Sequence, residues 1–147
     1  MKLFRAGYVQ SRPRIFAVEA NLKACLAMMD GARADLWVLP ELATSGYVFR
    51  SRSELAKVAE TADGPTVRRL REYAKKRGCA IVVGLPEKAG GRFFNSSVLV
   101  TAKKTTVYRK VHLFDAEKKY FSPGDLGFPV ADVGGVKVGM MVCFAWF

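Results

Sequence analysis

Histidine and cysteine are scarce in this chain, and their scarcity limits the chemistry available to it. The 147 residues contain one histidine, His112, and three cysteines, Cys25, Cys79 and Cys143. An odd number of scattered cysteines does not suit a disulfide framework, and no two lie close enough for a metal-binding pair. A single histidine nearly excludes a Ser-His or Cys-His catalytic pair and a zinc site. We expect no metal ion, and any catalysis must use carboxylate, lysine and thiol groups.

Long apolar runs are also missing. No run approaches the roughly 20 apolar residues that a membrane span requires, and the first five residues lack the long apolar core of a signal peptide. We therefore expect no membrane partner and a cytoplasmic location. Half of the residues are apolar and a quarter are charged, which is a globular composition. A chain of 147 residues has the length of one domain, which buries roughly 70% of its unfolded surface.

Acidic residues are few: 13 stand against 24 lysines and arginines, giving a net charge of +11. Such an excess raises the possibility of nucleic-acid binding. Much of it belongs to one expected helix, in which Val67, Leu70 and Ala74 form the buried stripe and the basic residues mostly point outward. A solvated helix face explains the charge more simply, because no aromatic residues are interleaved with it. We expect no nucleic-acid partner. The basic residues of this helix are Arg68, Arg69, Arg71, Lys75, Lys76 and Arg77.

The first half of the chain alternates apolar runs typical of strands with segments of helical periodicity. Cys25 falls on the buried stripe of the first helix, so we interpret it as a structural thiol. Gly64-Pro65 marks the start of the basic helix and Gly78 its end. Cys79 begins a strand at the end away from the expected site and is also interpreted as structural. The expected strands lie at residues 3–9, 35–39 and 79–84, and the expected helices at residues 20–33, 53–60 and 65–77, the second capped by Ser53.

The second half changes from this alternation to hairpins. The apolar and β-branched run that follows Gly134-Gly135 predicts a buried final strand ending at Cys143. The pattern as a whole predicts an α/β fold with one mixed sheet and helices on one face. The remaining expected elements are strands at residues 93–101, 105–110 and 130–133, a helical turn at residues 115–120 and a tight turn at residues 122–125.

Three of the expected strands lead to a residue that can do chemistry. The final strand ends at Cys143, the strand at residues 35–39 leads to Glu41, and the strand at residues 105–110 ends at Lys110. The carboxyl ends of strands are where a sheet brings reactive groups to a crevice. We predict that the three ends meet in one site. Taken singly, each has a simpler interpretation: a loop carboxylate or helix cap, a surface lysine and a buried thiol.

Several motifs together support the catalytic interpretation. They are Leu39-Pro40-Glu41 with Gly46-Tyr47, Tyr108-Arg109-Lys110-Val111-His112-Leu113, Glu117 and Phe121 with Pro123-Gly124-Asp125, and Cys143-Phe144. In their order and separations these motifs resemble the nitrilase, or carbon–nitrogen hydrolase, superfamily, and the resemblance covers all 147 residues. Asn95-Ser96-Ser97, after an aromatic pair, fits the same family pattern.

The resemblance implies roles for the matching residues. Cys143 would be the nucleophile, Glu41 the general base, and Lys110 the group that stabilises the tetrahedral intermediate. Glu117 matches a further acidic residue that lines such sites and positions substrate or water. The implied activity is hydrolysis of a small amide, a carbamoyl compound or a nitrile through a cysteine thioester, with an amidase favoured over a nitrilase. Neither a cofactor nor a metal is expected, and the partner is the small-molecule substrate.

The chemistry of these residue types agrees with those roles. An ordinary thiol has a pKa of about 8.5, so a cysteine needs a base or a cation to become a nucleophile. Glu41 can accept the thiol proton, and Lys110 can donate to the developing oxyanion. The backbone N–H of Phe144 is the expected second donor. Tyr47 is expected to contact the substrate.

The resemblance also sets limits. The implied fold is an α-β-β-α sandwich that pairs into dimers or larger assemblies. Residues 1–147 would form a carbon–nitrogen hydrolase domain truncated after the nucleophile strand, holding the first half of the sandwich and leaving an apolar strand edge unpaired. The family nearly always has an acid two positions after the nucleophile, where this chain has Ala145, which is expected to loosen the nucleophile turn. An inactive fragment, or a pseudoenzyme serving as an interaction module, is therefore the alternative function.

Overall fold

The computed structural model describes residues 3–146, which form a five-stranded mixed sheet, a separate two-stranded sheet and three helices. The five-stranded sheet has the order β1-β2-β3-β4-β5, so spatial neighbours follow each other along the chain. Its strands are β1 (Ala6–Tyr8), β2 (Leu36–Val38), β3 (Ala80–Ala89), β4 (Arg92–Val100) and β5 (Thr105–Arg109). The second sheet contains β6 (Val130–Val133) and β7 (Val136–Gly139), and the helices are α1 (Val18–Asp30), α2 (Arg52–Val58) and α3 (Pro65–Arg77).

The change from alternation to hairpins divides the large sheet into two parts. The β1–β2 and β2–β3 pairs are parallel, with α1 crossing between the first two strands and α2 and α3 between the next two. Parallel neighbours require such crossover connections. From β3 onward the sheet is an antiparallel meander. Its first hairpin turns at Gly90 and Gly91, which both have positive φ angles.

Helices α1 and α3 cover one face of the large sheet, as the pattern predicts, whereas Leu55 and Val58 of α2 pack in a separate cluster with loop residues. Cys25 of α1 and Leu70 of α3 are buried in a core with Ile81 and Val98 of the sheet. The basic residues of α3 lie outside this core, since its buried residues are Thr66, Val67, Leu70 and Ala74. None of the helices in the described part of the chain is long and apolar enough to cross a membrane.

The opposite face of the sheet is covered by the end of the chain. Leu36, Val82, Leu99 and Tyr108 alternate with the residues of the helix-side core, as neighbouring strand residues must. They pack against residues that follow one another late in the chain. These are Ala131, Val133, Met140, Val142 and Ala145. The candidate site lies on this face.

The end of the final strand is where the sequence prediction is wrong. The strand pairs with β6 as expected, but it stops at Gly139, and Cys143 begins a 3₁₀ helix, Cys143–Trp146. Residues 140 and 142 are buried against the sheet face without joining a ladder. Cys143 has a φ of +46°, a left-handed conformation that cannot continue a strand. The apolar run therefore indicated burial correctly and strand pairing wrongly.

Smaller differences have local causes. Ser51, and not Ser53, caps α2, because its side chain accepts the backbone N–H of Glu54. Helix α1 ends at Asp30, three residues early, with Gly31 as its C-cap. Strand β3 runs five residues beyond the predicted end, since β4 pairs with it as far as Ala89. The expected helical turn is a 3₁₀ helix, Asp115–Lys119.

Candidate active site

A buried lysine held between two carboxylates forms the centre of the candidate site. The side chain of Lys110 is 0% exposed, and its Nζ lies 2.9 Å from Glu41 Oε1 and 2.8 Å from Glu117 Oε2. Glu117 is buried as well, whereas Glu41 is partly exposed. A buried ammonium requires compensating charge, and this one has two partners. The structure thus brings together three of the residues that the sequence assigned to the site.

Glu41 reaches the site because its loop crosses directly over β3. Gly84 of that strand donates its N–H to the carbonyl of Pro40 at 3.2 Å, and its own carbonyl accepts the N–H of Ala43 at 2.8 Å. A Cβ at position 84 would lie 2.4 Å from the Pro40 carbonyl oxygen and 2.6 Å from the Cα of Glu41. Only glycine permits this approach. The missing side chain of Gly84 therefore sets the position of the Glu41 carboxylate.

Glu117 is fixed by its own short helix. Its Oε2 accepts the backbone N–H of Phe114 at 2.7 Å in addition to the Lys110 ammonium. The 3₁₀ helix therefore begins with the carboxylate folded back onto its own N-terminal backbone, where a negative charge is favoured. Both oxygens of Glu117 are occupied, since Oε1 accepts a side-chain amide at 2.7 Å. This carboxylate is held as a fixed acceptor.

The amide that bonds Glu117 belongs to Asn95, for which the sequence offered a motif but no role. Asn95 is fully buried on β4, and its backbone carbonyl accepts the N–H of Lys110 at 2.8 Å. Its Nδ2 donates to Glu41 Oε1 and to Glu117 Oε1, both at 2.7 Å. Asn95, Glu41, Lys110 and Glu117 therefore form a closed ring of four polar contacts, which we call the carboxylate ring.

The carboxylate ring holds Lys110 permanently charged. Burial alone would lower the pKa of this lysine, but the hydrogen bonds and charges of Glu117 and Glu41 outweigh burial and raise the pKa above its usual range. Tyr47 lies close enough to be affected as well. Burial, followed by the charges of Glu41 and Glu117, raises the pKa of its phenol, so Tyr47 stays protonated. Tyr47 is 45% exposed, so it reaches solvent as well as the charges of the ring.

The two oxygens of Glu41 have different surroundings. Oε1 accepts both the Lys110 ammonium and the Asn95 amide, whereas Oε2 accepts no hydrogen bond from any residue between 3 and 146. A carboxylate oxygen without a donor can accept a proton. Of the two carboxylates in the ring, Glu41 is the one with an oxygen left to act as a base.

Cys143 is the exposed cysteine of the chain. It starts the last 3₁₀ helix in a left-handed conformation, an unusual state for a non-glycine residue that is frequent at functional sites. The ring of Phe144 lies 5.5 Å, centroid to centroid, from the ring of Phe114, the residue whose N–H bonds Glu117. In the part of the chain described, the thiol makes no hydrogen bond to Glu41 or Lys110. The cysteine turn therefore packs, through Phe144 and Phe114, on the start of the short helix that carries Glu117.

The other two cysteines lie elsewhere, as predicted. Cys25 and Cys79 are buried in the helix-side core, and burial raises the pKa of both thiols. Ala145 lies in the apolar cluster on the opposite face with 3% exposure. An acid at that position would sit among apolar side chains. No group of three or more His, Cys, Asp or Glu side chains suited to a metal ion occurs within residues 3–146.

Sequence reasoning missed a second polar network on the helix-side face. Glu87, which is 2% exposed, accepts Arg109 Nε at 2.9 Å, Arg109 Nη2 at 2.6 Å and Ser96 Oγ at 2.6 Å. Arg109 also donates to Asp125 at 2.7 Å and lies over the ring of Phe94, 4.0 Å from its centroid. The sequence could have indicated this network, because adjacent residues 109 and 110 must face opposite sides of the sheet. With Lys110 in the candidate site, Arg109 must lie on the helix side.

Comparisons with known proteins identify the family to which the chain belongs. The family model for carbon-nitrogen hydrolase matches residues 5–147. A nitrilase of Pyrococcus abyssi is 41% identical over 150 aligned positions, covering 99% of this chain and 57% of that protein. An (R)-stereoselective amidase of a Pseudomonas species is 43% identical over 111 positions, covering 75% of this chain and 39% of that protein. The chain therefore belongs to the carbon–nitrogen hydrolase family.

A solved structure shows the same fold. A CN-hydrolase superfamily protein from Xanthomonas campestris superimposes with a TM-score of 0.85 at 26% identity, and the match covers 98% of this chain and 54% of that one. This agrees with the predicted nitrilase-type sandwich, of which the described sheet and its helices form part. The chain spans roughly half the length of the first two relatives, 57% and 52%.

Proposed function

We propose that this chain carries the catalytic residues for hydrolysis of a non-peptide C–N bond, in a small amide, a carbamoyl compound or a nitrile. The observation that carries the proposal is the fully buried Lys110 ammonium between Glu41 and Glu117. The turn that presents the exposed Cys143 packs on the short helix of Glu117 through Phe144 and Phe114. A structural ion pair alone would not require an unoccupied carboxylate oxygen together with an exposed thiol.

The first half of the reaction forms a thioester. Glu41 Oε2 takes the thiol proton, and the sulfur of Cys143 attacks the carbonyl carbon, forming the C–S bond. Lys110 uses two of its three hydrogens on the two carboxylates, so the third can be donated to the oxyanion. The backbone N–H of Phe144 is the second proposed donor. Collapse of the intermediate breaks the C–N bond, and protonated Glu41 gives its proton to the leaving ammonia or amine.

The second half removes the acyl group. Glu41 takes a proton from water, and the resulting hydroxide equivalent attacks the thioester carbon. The C–S bond then breaks to release the carboxylic acid, and protonated Glu41 returns its proton to the departing sulfur, which regenerates the thiol and the base. Glu117 keeps the ammonium in place throughout, and Tyr47 stands where it can contact the substrate. Loss of one oxyanion donor typically raises such a barrier by about 3 kcal/mol, so the Lys110 position is sensitive.

Support for an amidase over a nitrilase comes from the relatives. The (R)-stereoselective amidase and an N-carbamoylputrescine amidase of Arabidopsis thaliana, 35% identical over 124 residues, act on amides according to their names. We propose an amide or carbamoyl substrate on this basis. Assembly into a homodimer or larger oligomer is proposed from the family resemblance.

One observation favours a second candidate, a non-catalytic module that retains the fold. Ala145 stands where the family usually has an acid, and it is buried among apolar side chains. The nucleophile turn therefore lacks a charged anchor at that position. In this case Cys143 would be exposed but no more reactive than an ordinary thiol.

Alkylation by iodoacetamide at neutral pH, followed by intact mass and peptide mapping, distinguishes the two candidates. We expect rapid labelling at Cys143 alone, because burial raises the pKa of the thiols of Cys25 and Cys79. Lys110→Ala and Glu41→Ala should each abolish the rapid phase. Lys118→Ala, a change of an exposed lysine, is the matched control and should leave it intact.

Two results would contradict the proposal. Slow and equal labelling of all three cysteines would mean that the thiol is not activated. Fast labelling of Cys143 that persists in both the Lys110 and Glu41 variants would mean that exposure alone explains it. The substrate class is then assigned by incubating the protein with a panel of small amides, carbamoyl compounds and nitriles and measuring the ammonia that each releases.

A further inference from the structure

The amide of Asn95 links the two carboxylates of the site and has no other partner. Both of its hydrogens are used, one on Glu41 Oε1 and one on Glu117 Oε1. This fixes its orientation, since a flipped amide would turn its oxygen toward two carboxylates. Oδ1 is buried and has no donor within residues 3–146. The side chain therefore acts on the site through the two bonds that it donates.

The charges of the carboxylate ring explain why such a donor is needed. Two carboxylates share one ammonium, which leaves one negative charge in excess at a largely buried position. Neighbouring carboxylates of this kind tend to share a proton. Tyr47 also faces both of them, but its protonated phenol brings no positive charge. The Asn95 amide is the neutral group that donates to both at once, and such bonds favour the ionised form.

The same amide decides which oxygen of Glu41 is free. Because Asn95 and Lys110 both bond Oε1, Oε2 remains the acceptor available to a thiol. Without Asn95, the carboxylate could turn about its terminal bond and offer Lys110 either oxygen. The proton acceptor would then no longer be held in one orientation.

We infer that Asn95 is a positioning residue, which holds both glutamate carboxylates by donating to each and aims Glu41 Oε2 at the reacting thiol. The inference rests on the proposed function, because it assigns Asn95 a task in the same reaction. Asn95 itself touches neither the thiol nor the substrate. It acts through Glu41 and Glu117, so a change at this position should alter the pH profile of the site as well as the rate.

The test measures the rate of Cys143 alkylation by iodoacetamide from pH 5 to pH 9 in the 147-residue chain. Asn95→Asp keeps the shape of the side chain and replaces the donating nitrogen by an acceptor, whereas Asn95→Leu removes both donors without adding charge. Ser97→Ala is the matched control: it lies on the same strand and face, is buried, and its hydroxyl contacts Met140 and neither carboxylate. Equilibrium unfolding of each variant shows that it is folded.

We expect the acid limb of the profile to move upward by roughly one pH unit in both Asn95 variants, because the base must be ionised before it can take the thiol proton. The rate at pH 6 should fall about tenfold, and Ser97→Ala should match the unmodified chain. Unchanged profiles in folded Asn95 variants would overturn the inference and leave the proposed function standing. So would a uniform drop in rate with no shift in pH, or a shift in Asn95→Asp alone. Absence of selective Cys143 labelling in the unmodified chain would overturn both proposals.

Discussion

Replacing Lys110 by methionine removes the cation that contacts both Glu41 and Glu117 while keeping the length of the side chain. The lysine is 0% exposed, and its Nζ contacts Glu41 at 2.9 Å and Glu117 at 2.8 Å. Removing one partner of a buried ionic group usually lowers the free energy of unfolding by about 3–5 kcal/mol, since the remaining charge is left uncompensated. For a chain of this length that corresponds to a fall in Tm of roughly 10 °C.

The loss should depend on pH, which distinguishes it from a packing defect. In the Lys110→Met variant the two buried carboxylates have lost their cation. One of them should therefore take up a proton more readily in the native state than in the unfolded chain, because the neutral carboxyl group needs no counter-charge. The native state then binds more protons, so the deficit relative to the unmodified chain shrinks as the pH falls. We expect the variant to lose most of the 3–5 kcal/mol of unfolding free energy at pH 7.5 and roughly half of it or less at pH 4.5. Cys143 should not be activated at either pH.

Urea unfolding followed by circular dichroism measures this deficit at the two pH values. Lys118→Met is the control. Lys118 is an exposed lysine on the short helix that carries Glu117, and its replacement should change the free energy of unfolding by less than about 0.5 kcal/mol. A deficit below about 1 kcal/mol for Lys110→Met would refute the argument that the ammonium neutralises buried charge. An equal deficit at both pH values would refute the electrostatic explanation in favour of a packing one.

The helix-side network and the Glu41 loop give two further predictions. Glu87→Ala leaves Arg109 without its buried bidentate acceptor and should lower the free energy of unfolding by about 3–5 kcal/mol. Asp125→Asn, at the exposed end of the network, should lower it far less, because solvent screens an exposed ion pair. Equal losses in urea unfolding would contradict this ranking. Gly84→Ala forces the Glu41 loop away from β3. It should lower the free energy of unfolding by about 1–3 kcal/mol and abolish the fast alkylation of Cys143. Gly31→Ala, with ordinary contacts, is its control, and a Gly84 variant that labels normally would show that the loop position is not critical.

The parts of the fold that the sequence predicted are those set by local pattern. The helical periodicity of α1 and α3 and the apolar runs of β2 and β3 identify elements whose buried faces repeat within a few residues. Two of the three hairpins followed from the glycine pairs at residues 90–91 and 134–135, and the third from the polar turn at residues 102–104. The final strand was mispredicted because Met140 and Val142 are buried against the sheet without pairing in it. An apolar composition indicates that residues are buried, whereas strand pairing requires another backbone segment alongside, which composition does not reveal.

The candidate site was predictable where chemistry coincides with a strand end. Glu41 and Lys110 were found in this way, although they are 69 residues apart. Asn95 and Glu87 lie inside strands, where alternation assigns a side chain to a face but does not identify its partner. Asn95 bonds residues 54 and 22 positions away, and only the three-dimensional structure brings those carboxylates to it.

Because Glu41 and Lys110 are 69 residues apart, the exposure of the Lys110 amine depends on how much of the sheet has formed. Strands β3, β4 and β5 form a local meander that can pair without β2, and it already carries Asn95 and Lys110 next to each other. Glu41 arrives only when β2 docks in parallel on β3. A partly folded chain would therefore present the Lys110 amine to solvent, whereas the complete fold buries it. Acylation of Lys110 by an amine reagent would thus report how often β2 detaches, in a chain whose other sheet pairings remain intact.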